Sequence, residues 1–133
     1  MNYGGDLMLV TGKELLLDAQ KRGYAVGAFN INNMEIVQAI IEAAEETNSP
    51  VILQASQGAI KYAGIEYITA LGKTAARKAK VPVALHLDHG TDFDQVMLCI
   101  RHGFTSVMID GSRFPLEENI AYTKKVVEVA KAV

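Results

Sequence analysis

Four short apolar runs, each followed by an amphipathic stretch of helical period, constrain this chain more than any other feature. The runs cover residues 24–31, 51–55, 81–87 and 105–109. The stretches that follow span 34–46, about 65–80, about 92–101 and about 115–132. Apolar runs of that length bounded by turn residues read as strands buried on both faces, as in a parallel sheet covered by helices. Strand then helix, four times over, requires parallel strands joined by right-handed crossovers. No low-complexity linker divides the alternation, so residues 8–133 form one domain of α/β class. The pattern suits a small doubly wound sheet and half of a barrel equally well, since no nucleotide-type glycine fingerprint favours the former.

Capping residues set the expected boundaries. Thr11 with Glu14 three residues later forms a capping box for a helix over 12–21, with Leu15, Leu16 and Ala19 on its apolar face and Gly23 as its stop. Asn33 caps the helix from Met34, whose buried side is expected to carry Ile36, Val37, Ile40, Ile41 and Ala44; Ser49-Pro50 ends it. Ser56-Gln57-Gly58-Ala59 reads as a loop. Asp92 caps the next helix and Gly103 ends it, and Pro115 with Glu117 and Glu118 opens the last. Residues 1–7 contain Gly4-Gly5 and precede a second methionine, Met8; they read as a tag remnant or short extension.

Composition narrows the function classes. A net charge of -2, with no basic tract, gives no electrostatic reason to expect nucleic acid or an acidic membrane as partner. No stretch reaches the roughly 18 apolar residues of a membrane span, and the N-terminus has no secretory pattern. Cys99 is the single cysteine, which excludes an internal disulfide and makes a reducing cytoplasm the expected compartment. Its apolar flanks mark it as a buried thiol.

The chemistry collects at the ends of the strands. Val81-Pro82-Val83-Ala84-Leu85-His86-Leu87-Asp88-His89-Gly90 begins as a buried strand and ends in two imidazoles and a carboxylate. Such a cluster suits metal binding or acid–base work. Asn30, Ser56, the Asp88–His89 pair and Asp110 each close one strand, and in a (β/α) array all four ends share one rim. Asn30 and Ser56 taken singly are explained by turn chemistry; their coincidence with the others argues for a site. Strand parity complicates the picture, because Ala84, His86 and Asp88 share one face and His89 the other. Both can face the site if the strand ends at Asp88 and turns there. His86, one layer deeper, could then pair with Asp88. The inward faces carry Phe29 or Ile31, Leu53 or Gln54, and Val107 or Ile109, depending on register.

His86-Leu87-Asp88-His89-Gly90, followed by Gly103-Phe104-Thr105-Ser106-Val107-Met108-Ile109-Asp110-Gly111-Ser112, resembles the class II, metal-dependent fructose-bisphosphate aldolases. Gly27-Ala28-Phe29-Asn30 and Gln54-Ala55-Ser56 are similar to the same family, in the same order. The resemblance implies a (β/α)8 TIM barrel of which this chain supplies about the first four β/α units. It implies a zinc ion that polarises the ketone of the substrate and stabilises the enediolate formed as the carbon–carbon bond breaks. It makes His89 a ligand of that zinc, Asp110 a contributor to an alternative metal position, Asp88 the acid–base group for the aldehyde-side hydroxyl, and Asn30 and Ser56 substrate-side residues. The reaction implied is reversible cleavage of fructose 1,6-bisphosphate to dihydroxyacetone phosphate and glyceraldehyde 3-phosphate, with tagatose bisphosphate as the alternative substrate. The family's remaining metal ligands fall beyond residue 133, and His102, at a helix end, does not replace them. The other expectation is an inactive half barrel that self-associates through its open edges as a homo-oligomer.

Overall fold

The structure is a computed structural model that describes residues 8–133, so the reading of residues 1–7 lies outside the described residues. The order of elements is α1 (Gly12–Arg22), β1 (Gly27–Asn30), α2 (Met34–Glu46), β2 (Val51–Ser56), α3 (Gln57–Ala63), α4 (Ile65–Lys78), β3 (Val83–Gly90), α5 (Phe93–Arg101), β4 (Ser106–Ile109) and α6 (Leu116–Ala130). All strand pairs are parallel and the sheet order is β1-β2-β3-β4. A doubly wound sheet would reverse its order at a switch point. The strictly sequential order instead matches a barrel cut in half.

Register assigns the two faces. Asn30 pairs with Gln54 and Gln54 with His86, while Phe29 pairs with Leu53 and Leu53 with Leu85. Leu53, Leu85, Leu87 and Val83 are fully buried in the main core with Ile68, Ala76, Val96 and Cys99 from the covering helices. Leu85 lies so close to α4 that a Cβ on Gly72 would come within 2.8 Å of its side chain. The odd-numbered positions of β1 and β2 therefore face the helices, and Gln54, not Leu53, faces inward. Phe29, Ile31, Val107 and Ile109 likewise fall on the helix-facing side.

The floor of the inner face is closed by α1. Leu15 and Val10 pack on Ala84, Ile52 and Val26 as a second, smaller core. The Thr11–Glu14 capping box forms as expected, with Glu14 accepting from the Thr11 backbone N–H at 2.7 Å. Leu15 and Ala19 are buried, but Leu16 is 55% exposed, because α1 covers only the floor with a narrow stripe. In α2, Val37 and Ala44 are buried and Ile36 is 38% exposed. Two boundaries also differ from expectation. Strand β1 holds only four residues, since its edge has a partner on one side alone. The expected loop 56–59 is the start of helix α3, whose first turn is fixed by Ser56 Oγ accepting from the Ala59 N–H at 3.2 Å. A serine that caps the first turn favours a helix start there over a loop.

Candidate active site

The C-terminal end of β3 is where the backbone departs from a regular strand. Leu87 pairs with Val107 and Gly90 with Ile109, so Asp88 and His89 together oppose one residue of β4. Two residues against one is a β-bulge, and His89 adopts a left-handed φ of 51° to accommodate it. The strand thus runs on to Gly90 rather than ending at Asp88, and the bulge resolves the parity problem. It turns His89 to the side of Asp88, with Nε2 3.8 Å from Asp88 Oδ1. Gly90 makes this possible, because a Cβ there would sit 2.7 Å from the Met108 carbonyl oxygen.

Asp110, immediately after β4, completes the cluster. Its Oδ2 lies 2.6 Å from His89 Nδ1, and its Oδ1 accepts from the Ser112 N–H at 3.0 Å. A carboxylate only accepts, so Nδ1 carries the proton and donates, and Nε2 is left toward the rim. Hydrogen bonds from the Ser112 side chain and from His89, with the Ser112 backbone N–H, hold the Asp110 carboxyl well below the usual carboxylate range. The same hydrogen bond, reinforced by the charge of Asp88, raises the pKa of His89. A histidine whose Nδ1–H is held by a carboxylate has a fixed tautomer and a more basic Nε2, which is how metal-ligating histidines are commonly oriented.

One layer deeper, His86 Nδ1 lies 2.7 Å from Ser106 Oγ. Its hydrogen bond goes to Ser106, its register partner on β4, and not to Asp88. Burial lowers its pKa against the opposing pull of the Asp88 charge. The hydrogen-bond partner of Asp88 is Gln54: Nε2 donates to Asp88 Oδ2 at 3.3 Å and to Asn30 Oδ1 at 2.8 Å. The sequence carries a signal for Gln54 as the inward residue rather than Leu53. It lies two residues before Ser56 on a strand, hence on the same face. Asn30 is exposed at the end of β1 with its oxygen held by Gln54. Ser56 Oγ caps α3, and its O–H remains available to donate. His102 ends α5 as its C-cap, away from the rim.

Among the described residues, no group of three or more His, Cys, Asp or Glu side chains is gathered to hold a metal ion. The rim offers one oriented imidazole and nearby carboxylates, short of the roughly three protein ligands that catalytic zinc takes. A groove of about 650 Å³ lined by Met34, Val37, Ile41, Tyr67 and Leu71 lies between α2 and α4, on the helical side of the sheet. No helix among the described residues is long and apolar enough to cross a membrane.

Comparison with known proteins places these features in a family context. Residues 10–133 match the family model described as fructose-bisphosphate aldolase class-II. The chain is 56% identical over 126 residues to the fructose-bisphosphate aldolase of Thermus caldophilus, covering 95% of this chain and 41% of that protein. It is 53% identical over 124 residues to the fructose-bisphosphate aldolase of Helicobacter pylori (strain ATCC 700392 / 26695), covering 92% and 40%. Among solved structures, the YdjI aldolase from Escherichia coli K12 superposes with a TM-score of 0.86 at 36% identity, over 91% of this chain and 47% of that one. A putative fructose-1,6-biphosphate aldolase from Coccidioides immitis gives 0.83 at 34% identity with the same coverage. The chain spans about two-fifths of the length of these curated relatives.

Proposed function

The chain belongs to the class II fructose-bisphosphate aldolase family, and we propose that it supplies the first half of the barrel of an enzyme that reversibly cleaves fructose 1,6-bisphosphate to dihydroxyacetone phosphate and glyceraldehyde 3-phosphate. The observation that carries this reading is the β-bulge at Asp88–His89, which puts a carboxylate and an oriented imidazole side by side on the rim.

In the proposed cleavage, Asp88 accepts the proton of the hydroxyl on the carbon that becomes the aldehyde. The electron pair of that O–H forms the carbonyl as the adjacent carbon–carbon bond breaks, and in the condensation direction Asp88 returns the proton. Asn30 and Ser56 border the substrate side. The donor set suits a divalent metal of zinc type. His89 would hold it through Nε2, Asp110 orients that ring and borders an alternative metal position, and the remaining ligands come from the part of the family barrel that this chain does not span. When bound, the metal supplies Lewis-acid stabilisation of charge on the ketone oxygen. Sugar bisphosphates and triose phosphates are the proposed ligands. The buried, unpaired thiol of Cys99 accords with a cytoplasmic location.

Two substitutions in a complete barrel test the assignment. His89→Ala is expected to lose zinc and activity together while keeping the fold; stoichiometric zinc with near-normal turnover would remove it as a ligand. Asp88→Ala is expected to keep zinc and lose turnover by at least ~10²-fold. Loss of zinc after dialysis would instead make Asp88 a ligand.

A further inference from the structure

Among the described residues, Gln54 is the inward-facing side chain that hydrogen-bonds both Asn30 and Asp88. It sits on β2 at the layer shared by Asn30 and His86, and its single Nε2 reaches Asn30 Oδ1 at 2.8 Å and Asp88 Oδ2 at 3.3 Å. An amide nitrogen has two N–H donors, so both acceptors are satisfied at once. Two consequences follow from the chemistry of the acceptors. Asp88 has one carboxylate oxygen held on the β2 side, while its Oδ1 is turned toward His89. Asn30 has its oxygen occupied, so the group it turns outward is its NH2.

We propose that Gln54 is a positioning residue that aims the Asp88 carboxylate and fixes the polarity of Asn30, making Asn30 a donor toward a substrate oxygen of hydroxyl or phosphoryl type. This rests on the reading of Asp88 as the proton-transfer group. Gln54 itself need not touch the substrate. Its amide selects among orientations that Asn30 and Asp88 could otherwise adopt, and preorganisation of that kind acts on the chemical step and on binding separately.

The two effects are separable by substitution. Gln54→Met keeps the length of the side chain and removes both hydrogen bonds. Gln54→Glu keeps the shape but turns two donors into acceptors, which repels Asp88 and forces Asn30 to present its oxygen outward. The assay is performed on a complete barrel, this chain continued by the second half of the Thermus caldophilus relative. It measures aldol cleavage beside exchange of the ketone product's α-proton with solvent. Exchange does not use the aldehyde-side hydroxyl, so it does not need Asp88 in its proposed role.

Gln54→Met is expected to lower kcat for cleavage by about tenfold or more, the scale of one hydrogen bond to a charged group, while exchange stays within about threefold of the parent. Gln54→Glu is expected to lower kcat further and to raise KM. Unchanged cleavage in both variants would overturn the proposal. So would an equal loss of cleavage and exchange, which is what a merely structural residue gives. Asp88→Asn is the control: if it leaves cleavage intact, the reading of Asp88 fails, whereas its loss alongside an unaffected Gln54→Met refutes the positioning role alone.

Discussion

Replacing Asp110 with Asn isolates what the carboxylate does for His89. The substitution keeps the size of the side chain but exchanges a charged acceptor 2.6 Å from Nδ1 for a neutral amide. The first expected effect needs no metal. His89 owes its raised pKa first to the Asp110 hydrogen bond and then to the charge of Asp88, so its pKa falls in the variant. NMR titration of the imidazole C–H signals reads this directly. The second effect concerns zinc in a complete barrel. Removing a carboxylate that orients a ligating histidine typically costs about 10–100-fold in metal affinity. That ratio depends on pH in a defined direction. Protons compete with zinc for Nε2 below the pKa of His89, and the parent, with the higher pKa, feels this competition more. The parent's advantage is therefore largest above its His89 pKa and shrinks as pH falls through it. Competition with a chromophoric chelator across pH measures the trend. An unchanged His89 titration in Asp110→Asn would refute the pairing. A zinc loss that grows toward low pH would refute the orienting role and favour Asp110 as a direct ligand.

Three further outcomes are expected. Cys99 is fully buried and burial pushes its thiol up to about 11, so a thiol reagent at pH 8 should label it only as denaturant unfolds the chain; immediate stoichiometric labelling would contradict the packing. Leu85→Ala removes a side chain with no exposure that abuts Gly72 and should cost about 2–5 kcal/mol in urea unfolding, while a loss under 1 kcal/mol would show a core far looser than described. The 133-residue chain expressed alone should self-associate and cleave no sugar bisphosphate, because β1 is exposed along its length, Phe29 is 52% exposed, and an apolar trough of about 480 Å³ lies between β1 and α2. Light scattering behind size exclusion checks it, and a stable monomer would sink the open-edge argument.

The elements most legible in the sequence were those whose ends are fixed by local chemistry. Helix α2 starts after Asn33 because the side-chain oxygen accepts from the Ile36 N–H, and Thr11, Asp92 and Gly23 act in the same local way. Helix α3 was missed because its cap, Ser56, is also a strand residue, so one side chain carries two signals. Exposure at Leu16 and Ile36 was missed because periodicity marks which side of a helix is apolar, not how much of that side a neighbour covers. The strand-end residues lie together at one rim, but their pairings differ from those expected. His86 turned to Ser106 and Asp88 to Gln54 because cross-strand register, which no local pattern encodes, decides which inward side chains meet.

The bulge shows why the two chemistries at the rim depend on one backbone detail. A regular strand cannot place adjacent residues on one face, and a strand that simply stopped at Asp88 would leave His89 on an unconstrained loop. Here pairing resumes at Gly90 with Ile109, and the Asp110 N–H then donates to the Gly90 carbonyl at 2.7 Å. His89 is pinned between two fixed points, and Asp110 is delivered opposite its ring by the same hydrogen bonds. The cost is a left-handed φ at a residue with a Cβ, a strain of the order of 1 kcal/mol or more that persists only where surrounding contacts enforce it. Those contacts include a glycine, Gly90, at a place where any side chain would strike the Met108 carbonyl. Gly90→Ala therefore disturbs the pairing beyond the bulge, and with it the separation of Asp88, His89 and Asp110. At the same time it presses on the core, because the added methyl would lie 2.9 Å from the Leu87 side chain and 3.4 Å from that of Val96.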